Sequence, residues 1–234
     1  CQIPKFSNAS IKDNQEFKRW QWDNKYFGKQ FSILGDSIST FEGYNPKGYK
    51  VFYNREKSIN FGMEEARDAW WEKVIEFFGG ELLVNNSWSG SKVIKLPNQE
   101  NVFPSGCSDE RTSSLHMETV MPDVIIVFLG INDWASGAKT GDETHILGHE
   151  AEQFDVAYGE MLKKLKANYP ASEIWCCTLS ETYISAHPDF KFPHAYAGTH
   201  IEEYNDIIRK VAGEYQCNLI DLYDCKMPYD TLDG

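Results

Sequence analysis

The longest apolar run in the 234 residues extends only from Val124 to Leu129. That is strand length and far below the ~20 residues that cross a bilayer, so no transmembrane segment is expected. Positive charge is scarce as well. The chain carries 23 Lys and Arg against 35 Asp and Glu, a formal net charge of −12. Such a surface repels phosphate backbones and anionic headgroups, so nucleic acid is not expected as a partner. The six cysteines, Cys1, Cys107, Cys176, Cys177, Cys217 and Cys225, have neither the spacing of a disulfide scaffold nor that of a zinc site. His145 and His149 stand four apart with Glu150 beside them, but Gly148 lies between and no HExxH pattern exists. No metal is expected. No glycine-rich phosphate loop follows the first predicted strand, which argues against a nucleotide-binding domain. Internal repeats and low-complexity tracts are absent too.

What remains is a composition of 41% hydrophobic and 25% charged residues, in a length that suits one domain. Short apolar runs at Phe31–Leu34, Val124–Phe128, Ile174–Thr178 and Leu219–Leu222, with a weaker one at Glu81–Val84, read as buried strands. Between them lie helical patterns. Glu64–Phe78 stops at Gly79-Gly80, Ala151–Asn168 is closed by Pro170, and Thr199–Tyr215 opens with the capping-box spacing of Thr199 and Glu202. The neighbours Cys176 and Cys177 should point to opposite faces of their strand. Alternating strands and helices predict an α/β fold, a three-layer α/β/α sandwich around a five-stranded parallel sheet of flavodoxin-like type. Residues 1–30 read as an N-terminal extension packed on a domain of residues 31–234. The segment Thr182–Gly198, rich in aromatics and histidine, reads as a long binding or lid loop.

In sheets of this kind the chemistry sits on loops at the C-terminal strand ends, and three polar motifs stand there. Gly35-Asp36-Ser37 follows the first strand, where the glycine permits a tight turn that presents the Ser37 hydroxyl. Asn86-Ser87-Trp88-Ser89-Gly90-Ser91 follows the second, with Gly90 allowing a backbone N–H to approach a ligand. Gly130-Ile131-Asn132-Asp133-Trp134 follows the third, where Asn132 offers an amide donor, or else closes an Asx turn. Each motif alone is commonplace. Asp36 and Asp133 are expected to support the site by accepting backbone N–H bonds that hold their loops.

Taken together, in the order Ser, Gly, Asn, the motifs resemble those of the SGNH hydrolases, the GDSL-type esterases and lipases, from about Phe31 to the C-terminus. The resemblance implies Ser37 as nucleophile. It also implies an oxyanion hole built from the backbone N–H groups of Ser37 and Gly90 and the side chain of Asn132. The family's last block is Asp-x-x-His. Asp233-Gly234 matches its first half, making Asp233 the catalytic acid and placing the histidine two residues past Gly234. The expectation is therefore that the native chain continues beyond Gly234. His116, His145, His149, His187, His194 and His200 do not occupy the family's position.

The implied reaction is hydrolysis of a carboxylic ester through an acyl-enzyme, with no cofactor. Trp88, Trp134, Tyr183 and His194 are candidate substrate contacts, and flat aromatic faces suit a sugar ring. A small-molecule or carbohydrate ester is the expected substrate. The competing reading is a non-catalytic ligand-binding module on the same fold, lacking the histidine. A cytoplasmic protein is the first expectation for compartment, and a bacterial lipoprotein anchored through Cys1 is the alternative.

Overall fold

The computed structural model describes residues 15–54, 56, 62–95, 104–141, 152–181, 192–194 and 198–225. Its centre is a sheet of five strands, all parallel: β1 Gln30–Gly35, β2 Glu81–Ser87, β3 Val124–Phe128, β4 Glu173–Cys177 and β5 Asn218–Ile220. Their order across the sheet is β2-β1-β3-β4-β5. The helices are α1 Gln15–Asp23, α2 Trp70–Phe78, α3 Asp109–Ser113, α4 Ile131–Ala135, α5 Phe154–Asn168 and α6 Ile201–Glu214. No helix among the described residues is long and apolar enough to cross a membrane.

Two cores flank the sheet, as the period-2 alternation of strands demands. Ile125 and Val127 of β3 join Leu34, Ile174 and Cys176 on the face covered by α5 and α6, against Phe154, Tyr158, Leu162, Tyr204 and Ile208. Val124, Ile126 and Phe128 join Phe31, Ile33, Trp175 and Cys177 on the other face, under Trp71 and Ile75 of α2. Cys176 and Cys177 thus enter opposite cores, and both are buried free thiols. Both faces are covered, which is why the strands read as unbroken apolar runs.

The element boundaries differ from the sequence pattern where side chains compete for backbone groups. The predicted helix from Glu64 is a 3-10 turn at Ala66–Asp68, followed by α2 proper from Trp70. The Asp68 carboxylate takes the N–H groups of Glu64 and Glu65, both at 3.0 Å, and Ala69 between the two pieces is extended. The cap of α6 is His200 rather than Thr199, with Nδ1 accepting the Glu202 N–H at 3.1 Å. The last strand ends at Ile220, two residues before the predicted limit, because Asp221 turns aside to accept from Thr178 Oγ1 (2.9 Å) and Arg209 Nε (2.8 Å).

Ahead of β1, Phe17 and Trp20 of α1 pack on Phe77, with centroids 5.5 and 4.9 Å apart. Gln21 and Asn24 donate to the last carbonyls of α2, those of Glu76 and Phe78. These contacts supply partners that a helix C-terminus otherwise lacks.

On the far side of the sheet, Asn205 of α6 is wholly buried and clips the chain as it leaves β4. Its Oδ1 accepts the Leu179 N–H at 2.7 Å and its Nδ2 donates to the Leu179 carbonyl at 3.1 Å. Asn205→Ala leaves both buried backbone groups unpaired, and is expected to lower unfolding free energy by about 2–3 kcal/mol in urea denaturation.

Candidate active site

The chain runs from β1 to β2 on one side of the sheet and then crosses back over β1 to β3. This switch point lies at the carboxyl ends of β1 and β3, where open α/β sheets bind ligands. Register places Gly35 beside Ser87 of β2 and Phe128 of β3. The three polar motifs therefore leave the sheet from adjacent positions.

Gly35 is needed for space rather than for an unusual backbone angle. A Cβ there would stand 2.5 Å from Ser39 Oγ and 2.9 Å from Ser87 Oγ. Beyond it, Asp36 caps the 3-10 turn Ser37–Ser39, its Oδ1 accepting the Ile38 N–H at 3.3 Å. The Ser37 carbonyl is held by the N–H and hydroxyl of Thr40, at 3.1 and 2.7 Å. Ser37 itself is half-buried, and no hydrogen bond to its Oγ is made among the described residues. Its hydroxyl is available to a ligand and to a base.

The second motif folds over the first. Trp88 N–H donates to the Gly35 carbonyl at 3.1 Å, and Ser91 Oγ reaches the same oxygen at 3.4 Å. Ser91 N–H closes a turn on the Trp88 carbonyl at 3.0 Å, with Gly90 at its third position and φ +84°. That backbone region favours glycine. Among the described residues, no atom beyond its chain neighbours lies within 4 Å of where a Gly90 Cβ would be, so the turn faces open space there.

The third motif is tied to the second. Asn132, in the first turn of α4, donates from Nδ2 to the Ser91 carbonyl at 3.0 Å. That uses one of its two amide hydrogens. Asp133 is wholly buried and accepts the N–H groups of Val93 (2.9 Å) and Ile94 (3.0 Å). Ser91 thus touches both neighbours, Gly35 through its hydroxyl and Asn132 through its carbonyl.

Burial dominates the electrostatics. It pushes the Asp36 and Asp133 carboxyls up to about 7, against the backbone N–H bonds that favour their ionised forms. Each acid also lies in a field of other charges. For Asp36, Asp133 raises the value and Arg111 lowers it.

Of the candidate substrate contacts, Trp88 is half-buried, with its ring 4.2 Å from that of Tyr49. Trp134 is not at the surface. It is wholly buried in the core beneath α5 and α6, where its Nε1 donates to the Thr199 carbonyl at 3.0 Å. The large apolar ring goes to the core because α4 turns it away from the strand ends. His194 is exposed, with Nδ1 3.1 Å from the Gly198 carbonyl and its ring edge-on to His200. Tyr183, Asp233, His145, His149 and His187 lie outside the described residues. His116 sits beside Tyr169 and His200 caps α6. Among the described residues no cluster of His, Cys, Asp or Glu could hold a metal ion.

Two participants escaped the sequence reading. Asn45 Oδ1 accepts the Phe41 N–H at 2.9 Å, and its Nδ2 donates to the carbonyls of Asn85 and Ser87, each at 3.1 Å. Arg111 is wholly buried and reaches the ends of β1 and β2 from α3. Neither has a signal in the sequence, since each belongs to a stretch without periodicity.

The family model of GDSL-like lipase/acylhydrolase matches residues 29–228. A GDSL-like lipase from Bacteroides ovatus ATCC 8483 is 26% identical, with a TM-score of 0.66 over 86% of this chain and 87% of that one. One from Bacteroides uniformis ATCC 8492 is 26% identical, with a TM-score of 0.63 over 86% of each chain. A family two carbohydrate esterase from Clostridium thermocellum, an active site mutant, shares the fold at 14% identity, with a TM-score of 0.52 over 90% of this chain and 58% of that one. No curated protein matches.

The buried carboxylate beside Ser37 has a measurable consequence. Asp36 binds its proton more tightly folded, at about 7, than at its ordinary 3.8. The folded state therefore holds the extra proton between those values, and stability falls as pH rises through that window. Asp36→Asn removes this component. Relative to wild type, the variant should gain on the order of 3 kcal/mol between pH 4 and pH 7.5 in parallel urea titrations. Acids whose values are lowered, such as Asp123 and Asp221, cancel in the difference.

Proposed function

The chain belongs to the GDSL-like lipase/acylhydrolase family, and on that footing we propose that it hydrolyses carboxylic esters through an acyl-enzyme on Ser37. Ester hydrolysis is the activity of the family. The assignment of roles to residues is our reading. The observation that carries it is the double engagement of Ser91, which binds the Gly90 turn to the strand end before Ser37 and to Asn132 at once.

In this mechanism Ser37 Oγ attacks the acyl carbon and its proton passes to a histidine oriented by Asp233, as the Asp-x-x-His pattern of the family implies. The carbonyl oxygen gains the electron pair and becomes an oxyanion. It is received by the N–H groups of Ser37 and Gly90 and by the Asn132 amide hydrogen not given to Ser91. Donors fixed beforehand need no reorganisation as charge develops. Collapse of the intermediate expels the alcohol, which takes the proton from histidine. Water then repeats the sequence and frees the acid. Asp36 and Asp133 hold the loops that carry Ser37 and Asn132, and the chemistry needs no cofactor.

We assign a carbohydrate as the alcohol. Trp88 and Tyr49 flank the Gly90 turn, and Tyr44 and Phe52, in the segment after Ser37, are exposed. Flat rings beside a polar site suit the apolar face of a sugar.

Protein expressed from the complete coding sequence should hydrolyse p-nitrophenyl acetate. Ser37→Ala should abolish turnover, and Asn132→Ala should reduce kcat roughly 10²–10³-fold. Binding of acylated sugars without turnover would instead identify a binding module. Trp88→Ala should raise KM for glucose pentaacetate about tenfold while leaving ethyl acetate hydrolysis, followed by pH-stat, unchanged. Equal effects on both esters would remove the sugar assignment.

A further inference from the structure

Arg111 is the one arginine among the wholly buried residues described, and its hydrogen bonds among those residues go to no carboxylate, while Asp36 and Glu110 act on it through space. Its Nε donates to Asn86 Oδ1 at 2.6 Å and its Nη2 to the carbonyls of Asn86 (2.9 Å) and Gly35 (3.0 Å). Its Nη1 donates to the Pro104 carbonyl at 3.3 Å. All four acceptors are neutral. The guanidinium carbon also lies 5.9 Å from the Tyr49 ring centre. Burial pushes its value down to about 10, so it remains a cation at neutral pH.

A buried charge of this kind is costly unless something repays its desolvation. Apolar packing would fill the same space at lower cost if stability alone were served. The position of the charge supplies a reason. Its fork ends on the last carbonyl of β1, that of Gly35, and the next-to-last of β2, that of Asn86, just before the turns that present Ser37 and Gly90.

We propose that Arg111 is a positioning residue of the esterase site. It fixes the two strand ends that carry the Ser37 and Gly90 N–H groups, and it places the guanidinium charge beneath the point where the oxyanion forms. This rests on the reading of Ser37 as nucleophile. An anion that develops only in the transition state is stabilised by such a charge, whereas a neutral ester is not. Loss of Arg111 should therefore appear in kcat and not in KM.

The test uses the full-length protein, with competent Ser37 counted by fluorophosphonate labelling so that misfolded molecules do not enter the rate. Per labelled serine, Arg111→Met should lower kcat for p-nitrophenyl acetate roughly 30–100-fold with KM within about threefold of wild type. Arg111→Lys keeps the cation without the fork and should recover part of that loss. Asn86→Asp offers a second route. It keeps the acceptor for Nε and offsets the buried charge, at the loss of the Nδ2 bond to the Ser114 carbonyl, and should lower kcat about tenfold per labelled serine. It decides the matter if Arg111→Met does not fold. Per-site kcat within about twofold of wild type in Asn86→Asp or in folded Arg111→Met would overturn the proposal and leave Arg111 a structural residue. Wild-type protein that neither labels nor hydrolyses would overturn the assignment of Ser37, and this proposal with it.

Discussion

One carbonyl oxygen, that of Gly35, organises the loops at the carboxyl end of the sheet. It accepts from the Trp88 N–H, the Ser91 hydroxyl and the Arg111 guanidinium, at 3.1, 3.4 and 3.0 Å. A strand end is where a ladder runs out of partners and a carbonyl would ordinarily turn to water. Here two separate segments, the Trp88–Ser91 turn and α3, supply donors to it, and each is thereby located relative to Ser37 two residues on. The absence of a side chain at Gly35 allows the approach, because Ser39 and Ser87 occupy the volume a methyl group would need.

Most of the scaffold was legible because burial on both faces writes itself into the sequence. A strand such as Val124–Phe128, wholly apolar and bounded by Asp123 and Gly130, has few other fates. Helices α5 and α6 carry their stripes in the open, since one face of each meets a sheet and the other meets water. The limits of the elements were less legible, and the reasons are local. Asp68, His200 and Asp221 each divert a backbone or side-chain hydrogen bond at a terminus, and periodicity does not register such diversions.

The site divides along the same line. That the loops of Ser37, Gly90 and Asn132 share one edge was legible because each follows a strand of the sheet, so that topology alone brings them together. Trp134 was misread for a related reason. Proximity in sequence to Asn132 suggested proximity to a ligand, but the single turn of α4 rotates adjacent residues about 100° apart and delivers the indole to the core. Arg111 and Asn45 left no mark in the pattern. Both act by reaching across the structure to carbonyls in other strands, and a long-range contact of that sort has no signature in local spacing.

Asn45 has a bearing on the behaviour of the protein among its own copies. Trp88 N–H points at β1, so by the alternation of a strand the carbonyls of Asn85 and Ser87 point outward, along the unpaired margin of β2. Both are already taken by the Asn45 amide. The opposite margin, β5, spans only Asn218–Ile220. An edge occupied at the end of β2 and a brief one at β5 leave a foreign strand fewer free carbonyls to extend among the described residues, a device that works against edge-to-edge pairing.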